Sequence, residues 1–98
     1  MRFEWDERKN KTNKKKHGVS FEEASEIFDD PFHIAILDKR FDYFDERWIT
    51  IGVTKKRKVI IAGHLYFFTE NGEEVTRIIS ARMATKNERY QYETNKKR

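Results

Sequence analysis

The chain has no cysteine, a single proline and four glycines among its 98 residues. Without cysteine it can form neither a disulfide nor a thiolate metal site. Its three histidines, His17, His33 and His64, are widely separated and lack metal-ligand spacing, so no metal and no other cofactor is expected. No apolar run approaches the ~18 residues that a membrane span needs. Met1 is followed by Arg2-Phe3-Glu4-Trp5-Asp6, which has no apolar signal-peptide core. These absences point to the cytoplasm and to no membrane partner. Apolar residues are also few, at 37%, so the core must be small and lean on eight Phe, four Tyr and two Trp. Burying one such ring is worth about 1.5–3 kcal/mol, so a handful suffices.

Charge is plentiful. Asp, Glu, Lys and Arg make up 39% of the chain, with a net charge of +4. A basic surface attracts phosphates, which makes a nucleic acid the natural polyanion. No repeat, linker or low-complexity boundary interrupts the sequence, so residues 1–98 form one domain, with a disordered tail expected at 95–98.

Phe3-Glu4-Trp5 alternates like a short strand. Asp6 can cap a basic helix over residues 7–16, which ends at His17-Gly18. Its Lys14, Lys15 and Lys16 make either a solvated face or an RNA-backbone contact, with His17 beside them. Ser20-Phe21-Glu22-Glu23 is a capping box, with Val19 placed to staple against Ala24. Phe21, Ala24, Ile27 and Phe28 form one apolar helix face, and Asp29-Asp30-Pro31 ends that helix. Strands are predicted over 32–38, 46–54, 59–69 and 74–83, with a loop at 39–45 and a cationic turn at 55–58. Thr85 and Glu88 form a second capping box, opening a C-terminal helix.

Asn71-Gly72 predicts a two-residue type I′ hairpin. That register sets Tyr66 opposite Arg77, His64 opposite Ile79, Gly63 opposite Ser80 and Ile61 opposite Arg82. Arg77 and Arg82 then point to opposite faces. A turn of two or four residues at 55–58 pairs Val53 with Ile60. The helix-covered face would hold Ile49, Ile51, Val53, Ile60, Ala62, Ile79, Ala81 and Met83, with Arg47, Tyr66 and Arg77 at one end. The other would carry Thr50, Gly52, Gly63, Ser80, Ile61 and Arg82 as a shallow trough. His64 is either a satisfied core histidine or a proton shuttle beside those cations.

The chain resembles the BrnT toxins of bacterial type II toxin–antitoxin systems over nearly its whole length. Phe3-Glu4-Trp5-Asp6 is similar to the family's start, and Lys16-His17-Gly18-Val19-Ser20-Phe21-Glu22-Glu23-Ala24 to its second element. Phe28-Asp29-Asp30-Pro31, Glu46-Arg47 and Ile51-Gly52 follow in order. Residues 77–84, then Glu88-Arg89 and Tyr92, are the most specific part. Leu65-Tyr66-Phe67-Phe68 departs from the pattern in being more aromatic. The resemblance implies an α+β, RelE-like fold: an antiparallel sheet of about four strands with two N-terminal helices and one C-terminal helix. It also implies a ribosome-independent endoribonuclease, neutralised by a ribbon–helix–helix antitoxin in a higher-order complex that reaches operator DNA only through the antitoxin.

Metal-independent RNA cleavage needs a base for the 2′-OH, cations for the phosphate and an acid for the leaving 5′-oxygen. Arg77, Arg82, Arg47 and Arg89 suit the phosphate, because a guanidinium donates two parallel hydrogen bonds. Ser80 is placed to bind RNA among them. His64, Glu46, His17 and Tyr92 are candidates for acid and base, and Tyr90 and Tyr92 alternatively for base stacking. The rival reading is a basic RNA- or protein-binding module that cleaves nothing.

Overall fold

The computed structural model describes residues 1–40 and 46–97, so most of the loop expected at 39–45 and the last residue of the expected tail lie outside it. Strand β1 spans Arg2–Glu4 and helix α1 Glu7–His17. The Asp6 carboxylate accepts the Arg8 and Lys9 N–H groups at 2.8 and 3.3 Å and so starts α1 as its N-cap. This helix has no apolar stripe. It docks through two buried amides instead. Asn10 Oδ1 accepts the Phe21 N–H at 2.8 Å, and its Nδ2 donates to Glu22 at 2.7 Å. Asn13 Nδ2 donates to the Val19 and Ala81 carbonyls, while its Oδ1 accepts the Ala81 N–H. One amide thus replaces a sheet neighbour along an otherwise open strand edge.

Helix α2 spans Phe21–Ser25, and a 3-10 turn over Glu26–Asp29 completes the element expected as one helix. Both hydrogen bonds of the Ser20–Glu23 capping box are present, as are both of the Thr85–Glu88 box that opens helix α3, Lys86–Lys96. α3 therefore continues into the stretch expected to be a disordered tail. The remaining strands are β2 Ile34–Leu37, β3 Trp48–Val53, β4 Val59–Phe68 and β5 Glu74–Met83.

The class is α+β, as expected, but the sheet has five strands, in the order β1-β5-β4-β3-β2. It is mixed rather than antiparallel throughout, because β1 pairs with β5 in parallel. Glu4 faces Arg77 in that pairing and forms an ion pair with it at 2.9 Å. Both side chains are partly exposed, so the contact sets register more than it stabilises.

Three single-residue shifts correct the expected register. The turn before β5 is not type I′, because that turn requires a positive φ at both central residues. Only Gly72 of the Asn-Gly pair has one, at 79°. Phe68 consequently pairs with Glu74, and Leu65, not Tyr66, with Arg77. A β-bulge then inserts Ile79, so that His64 faces Ile78 while Gly63 still faces Ser80 and Ile61 still faces Arg82. The turn before β4 places Arg57 at φ 69°, and Val53 pairs with Val59 rather than Ile60.

Each odd shift exchanges faces. α1, α2 and the 3-10 turn cover the face carrying Thr50 and Gly52 of β3, Ile60, Ala62 and His64 of β4, and Ile78 and Ala81 of β5. Ile49, Ile51 and Val53 turn away from it. The core joins Val19, Phe21, Ala24 and Ile27 from the helical layer to Ile60, Ala62, Ile78 and Ala81 of the sheet, with Phe3, Trp5 and Phe28 packed at its margin. Gly52 is not part of a trough. A Cβ there would lie 2.9 Å from both Cβ and O of Ile27, so the 3-10 turn rests directly on the strand.

Candidate functional site

The bulge at Ile79 determines what the uncovered face carries. Leu65, Gly63 and Ile61 alternate along β4 and face Arg77, Ser80 and Arg82. Directly opposed residues share a face, so both arginines and Ser80 lie on the uncovered side. The expectation that Arg77 and Arg82 point to opposite faces is corrected by the one inserted residue.

A cavity of about 170 Å³ opens on this side. Arg82 and Ser80 line it from β5, Gly63 and Ile61 from β4, Ile49 from β3, Arg47 from the approach to β3, and Asp38 and Arg40 from the segment after β2. His17, the last residue of α1, reaches it as well. A Cβ at Gly63 would lie 2.6 Å from Ser80 Oγ, so the glycine leaves the space that the hydroxyl occupies. The Asp38 carboxylate takes a two-point ion pair from Arg40, with Nε and Nη2 each at 3.0 Å. The Asp38 N–H donates to the Arg47 carbonyl at 2.7 Å, joining the two sides of the intervening loop.

Arg82 is held from α3. Glu88 accepts from Nη1 at 2.8 Å and from Nη2 at 3.0 Å. The guanidinium and the Thr85 cap keep the Glu88 carboxyl ionised, with its pKa lowered to about 2, and Glu88 in turn raises that of Arg82. α3 is anchored by Tyr92, whose OH donates to Asp30 Oδ2. Asp30 also accepts the N–H groups of Phe32 and Val53, both at 2.9 Å. Burial pushes its carboxyl up, but these three donors outweigh burial and leave it below the ordinary range.

Several expected site residues lie elsewhere. His64 is fully buried beneath the helices, with Nε2 2.7 Å from Thr50 Oγ1 and its ring edge-on to Phe28 and Tyr66. Burial, then the nearby His33, lowers its pKa to about 4. It is the core histidine, not a shuttle. Tyr92 is buried, and burial followed by the Asp30 carboxylate raises its pKa far above neutrality. Arg77 is paired to Glu4 and does not line the cavity. Glu46 is exposed outside it, as are Lys14, Lys15 and Lys16 on α1 and Arg89 and Tyr90 on α3. Of the named residues, Arg82, Arg47, Ser80 and His17 converge. Sequence reasoning missed Asp38, read as the last residue of a strand, and Arg40, read as part of a polar loop. It also missed Asp30 as a hub, having assigned it to the end of a helix. Among the described residues, no three His, Asp or Glu side chains group as metal ligands, and no helix is long and apolar enough to cross a membrane.

The molecule is thus a small α+β domain whose sheet carries, on the side away from α1 and α2, a cavity lined by three arginines, Asp38 and one histidine, with the start of α3 holding one of the arginines. The family model described as the ribonuclease toxin, BrnT, of type II toxin–antitoxin systems matches residues 5–88, and the chain belongs to that family. Among solved structures, it is similar to the ribonuclease toxin BrnT of Brucella abortus at 25% identity. The TM-score is 0.58, with 88% of this chain and 99% of that one covered. A comparison with curated proteins gives no match.

Proposed function

We propose that this protein is an endoribonuclease that cleaves RNA without a metal ion or the ribosome, with the cavity on the uncovered face as its active site. The observation that carries the reading is the lining itself. One imidazole, His17, lines the same space as the guanidinium residues Arg40, Arg47 and Arg82, beside Gly63 and Ser80. Cleavage needs the ribose 2′-oxygen to attack the adjacent phosphorus while the bond to the 5′-oxygen breaks. One proton leaves the 2′-OH and another reaches the 5′-oxygen, giving a 2′,3′-cyclic phosphate and a 5′-hydroxyl. His17, the imidazole of the lining, takes up the 2′-OH proton and, as the imidazolium, delivers a proton to the leaving 5′-oxygen. Arg82 and Arg47 stabilise charge on the phosphate oxygens, which is stronger in a partly enclosed site than in water. Ser80 adds a neutral hydrogen bond. Lys14, Lys15 and Lys16 extend a positive track from His17 for the flanking phosphates.

Family membership brings an antitoxin partner. We assign it to the ribbon–helix–helix type, covering this cavity in a higher-order complex, with the cytoplasm as the site of action. A RelE-like ancestry of the fold belongs to the same proposal, supported by the antiparallel β2–β5 block with α1 and α2 on one side.

The test is incubation of purified protein with an RNA oligonucleotide in EDTA. The expected product carries a 2′,3′-cyclic phosphate. Arg82→Ala should lose about 2.7–4 kcal/mol of transition-state stabilisation, or ~10²–10³ in rate. His17→Ala should lose a further general acid–base contribution of about 10²–10⁴. Any one of the three lysines replaced by Ala should weaken RNA binding only modestly and lower the salt slope by about one. Cleavage that vanishes in EDTA and returns with Mg²⁺ would remove the metal-independent mechanism. Binding without cleavage under any condition would establish a non-catalytic module.

A further inference from the structure

Among the described residues, only one fork of the Arg82 guanidinium is taken by a carboxylate. Glu88 takes Nη1 and Nη2 end-on, and Nη1 also donates to the Met83 carbonyl at 3.3 Å. The other fork, Nε–H with the outer Nη2–H, makes no hydrogen bond among the described residues, and Arg82 lines the cavity. Glu88 is itself fixed. Its Oε1 also accepts the Thr85 N–H at 2.8 Å, and the Thr85 hydroxyl accepts the Glu88 N–H at 3.2 Å. The helix that carries it is tethered by the Tyr92 hydroxyl on Asp30. A long side chain that would otherwise sample many rotamers is thus clamped at its tip by a rigid helix end.

We infer that Glu88 is a positioning residue, which holds the end-on edge of Arg82 so that the side-on fork is presented to a phosphate in the cavity. The inference rests on the cavity being the active site. A carboxylate on an arginine could instead compete with phosphate for the guanidinium, but competition needs the same edge. Glu88 leaves the edge that a phosphate can grip in two-point fashion unused.

The discriminating variant is Glu88→Gln. Gln at this position still completes a capping box, so α3 keeps its start while Arg82 loses its charged clamp. Thr85→Ala is the control, weakening the cap while leaving the ion pair in place. In RNA cleavage by the purified protein, Glu88→Gln should lower kcat by about 10- to 100-fold, the scale of a misplaced catalytic contact, with KM little changed. Thr85→Ala should keep kcat while lowering Tm. In an Arg82→Lys background, whose ammonium has no second edge to aim, Glu88→Gln should have almost no further effect on kcat. Guanidinium NMR supplies a readout apart from activity. Rotation about the Arg82 Nε–Cζ bond should be slow in the wild type and fast in Glu88→Gln. A Glu88→Gln enzyme as active as wild type or more so, an equal loss of kcat in the Arg82→Lys background, or unchanged Arg82 rotation would each overturn the inference. If Arg82→Ala and His17→Ala both cleave at the wild-type rate, the active-site reading fails instead, and the NMR measurement alone decides whether Glu88 orients Arg82.

Discussion

Acidification should destabilise this protein before its carboxylates titrate, and His64 is the reason. The ring is fully buried; among the described residues, its one hydrogen bond joins Nε2 and the Thr50 hydroxyl, and Nδ1 has no partner. An imidazolium would be left with a buried, unpaired charge, and its pKa is accordingly lowered from 6.5 to about 4. The unfolded chain takes up this proton as the pH falls below 6.5, while the folded chain resists it until about 4. The His64 contribution is therefore complete above pH 6.5 and is lost progressively down to 4. At about 1.4 kcal/mol per pH unit the full span is worth about 3 kcal/mol, of which about 2 kcal/mol is gone by pH 5. Asp30, Glu23 and Glu88 are shifted the same way from lower starting values, so their losses begin only at the acid end of this window and lie mostly below it. Urea unfolding at pH 7.5 and 5.0 reads the effect, with His64→Leu as the comparison. The variant should be less stable at pH 7.5, because Thr50 loses its partner, yet should lose about 2 kcal/mol less than wild type on acidification. Equal pH dependence in the two proteins would show that His64 is already charged or solvated when folded, and would refute the reasoning.

Three further outcomes follow from close contacts. Gly52→Ala forces a Cβ against the Ile27 backbone, and urea unfolding should show a loss of about 1–3 kcal/mol with a lowered Tm. Tyr92→Phe removes a hydrogen bond to a charged, buried Asp30, so about 1.5–3 kcal/mol should be lost and α3 amides should exchange faster with deuterium than the β4 and β5 amides. Gly63→Ala meets only the rotatable Ser80 hydroxyl, so stability should change by less than about 1 kcal/mol while RNA turnover falls by about tenfold through displacement of that hydroxyl.

Local chemistry was the legible part of this fold. Both capping boxes, the Asp6 cap and the Phe21, Ala24 and Ile27 face stand where the spacing put them, because each depends on atoms within one helical turn. α1 was legible as a helix but not as a packed one. Its buried residues are Asn10 and Asn13, and an amide that replaces a strand neighbour has no apolar signature. β1 was seen as a strand, but its parallel place beside β5 depends on contacts more than seventy positions away in sequence.

The site shows a sharper limit. Period-two reasoning makes each face assignment depend on whether a loop holds an odd or an even number of residues. At the Asn71-Gly72 turn the loop differs by one residue from expectation, and at Ile79 the bulge adds one back. The two changes cancel beyond the bulge, which is why Gly63–Ser80 and Ile61–Arg82 were anticipated while Tyr66–Arg77 and His64–Ile79 were not. The turn at 55–58 has no compensating bulge, so all of β3 exchanged faces and carried Ile49 and Ile51 to the bare side. β4 kept the face expected of it, so His64 stands in the interior with Ile60 and Ala62, and the imidazole of the proposed site is His17, which no strand register could place because it sits on a helix end. The bulge itself occupies the segment 77–82 that appeared most informative in sequence. By adding one residue there, it brings Ser80 and Arg82 onto the bare face, while Asn13 ties off the adjacent Ala81 backbone from the edge. That coupling makes the irregular stretch of β5 the part of the sheet on which the geometry of the cavity depends.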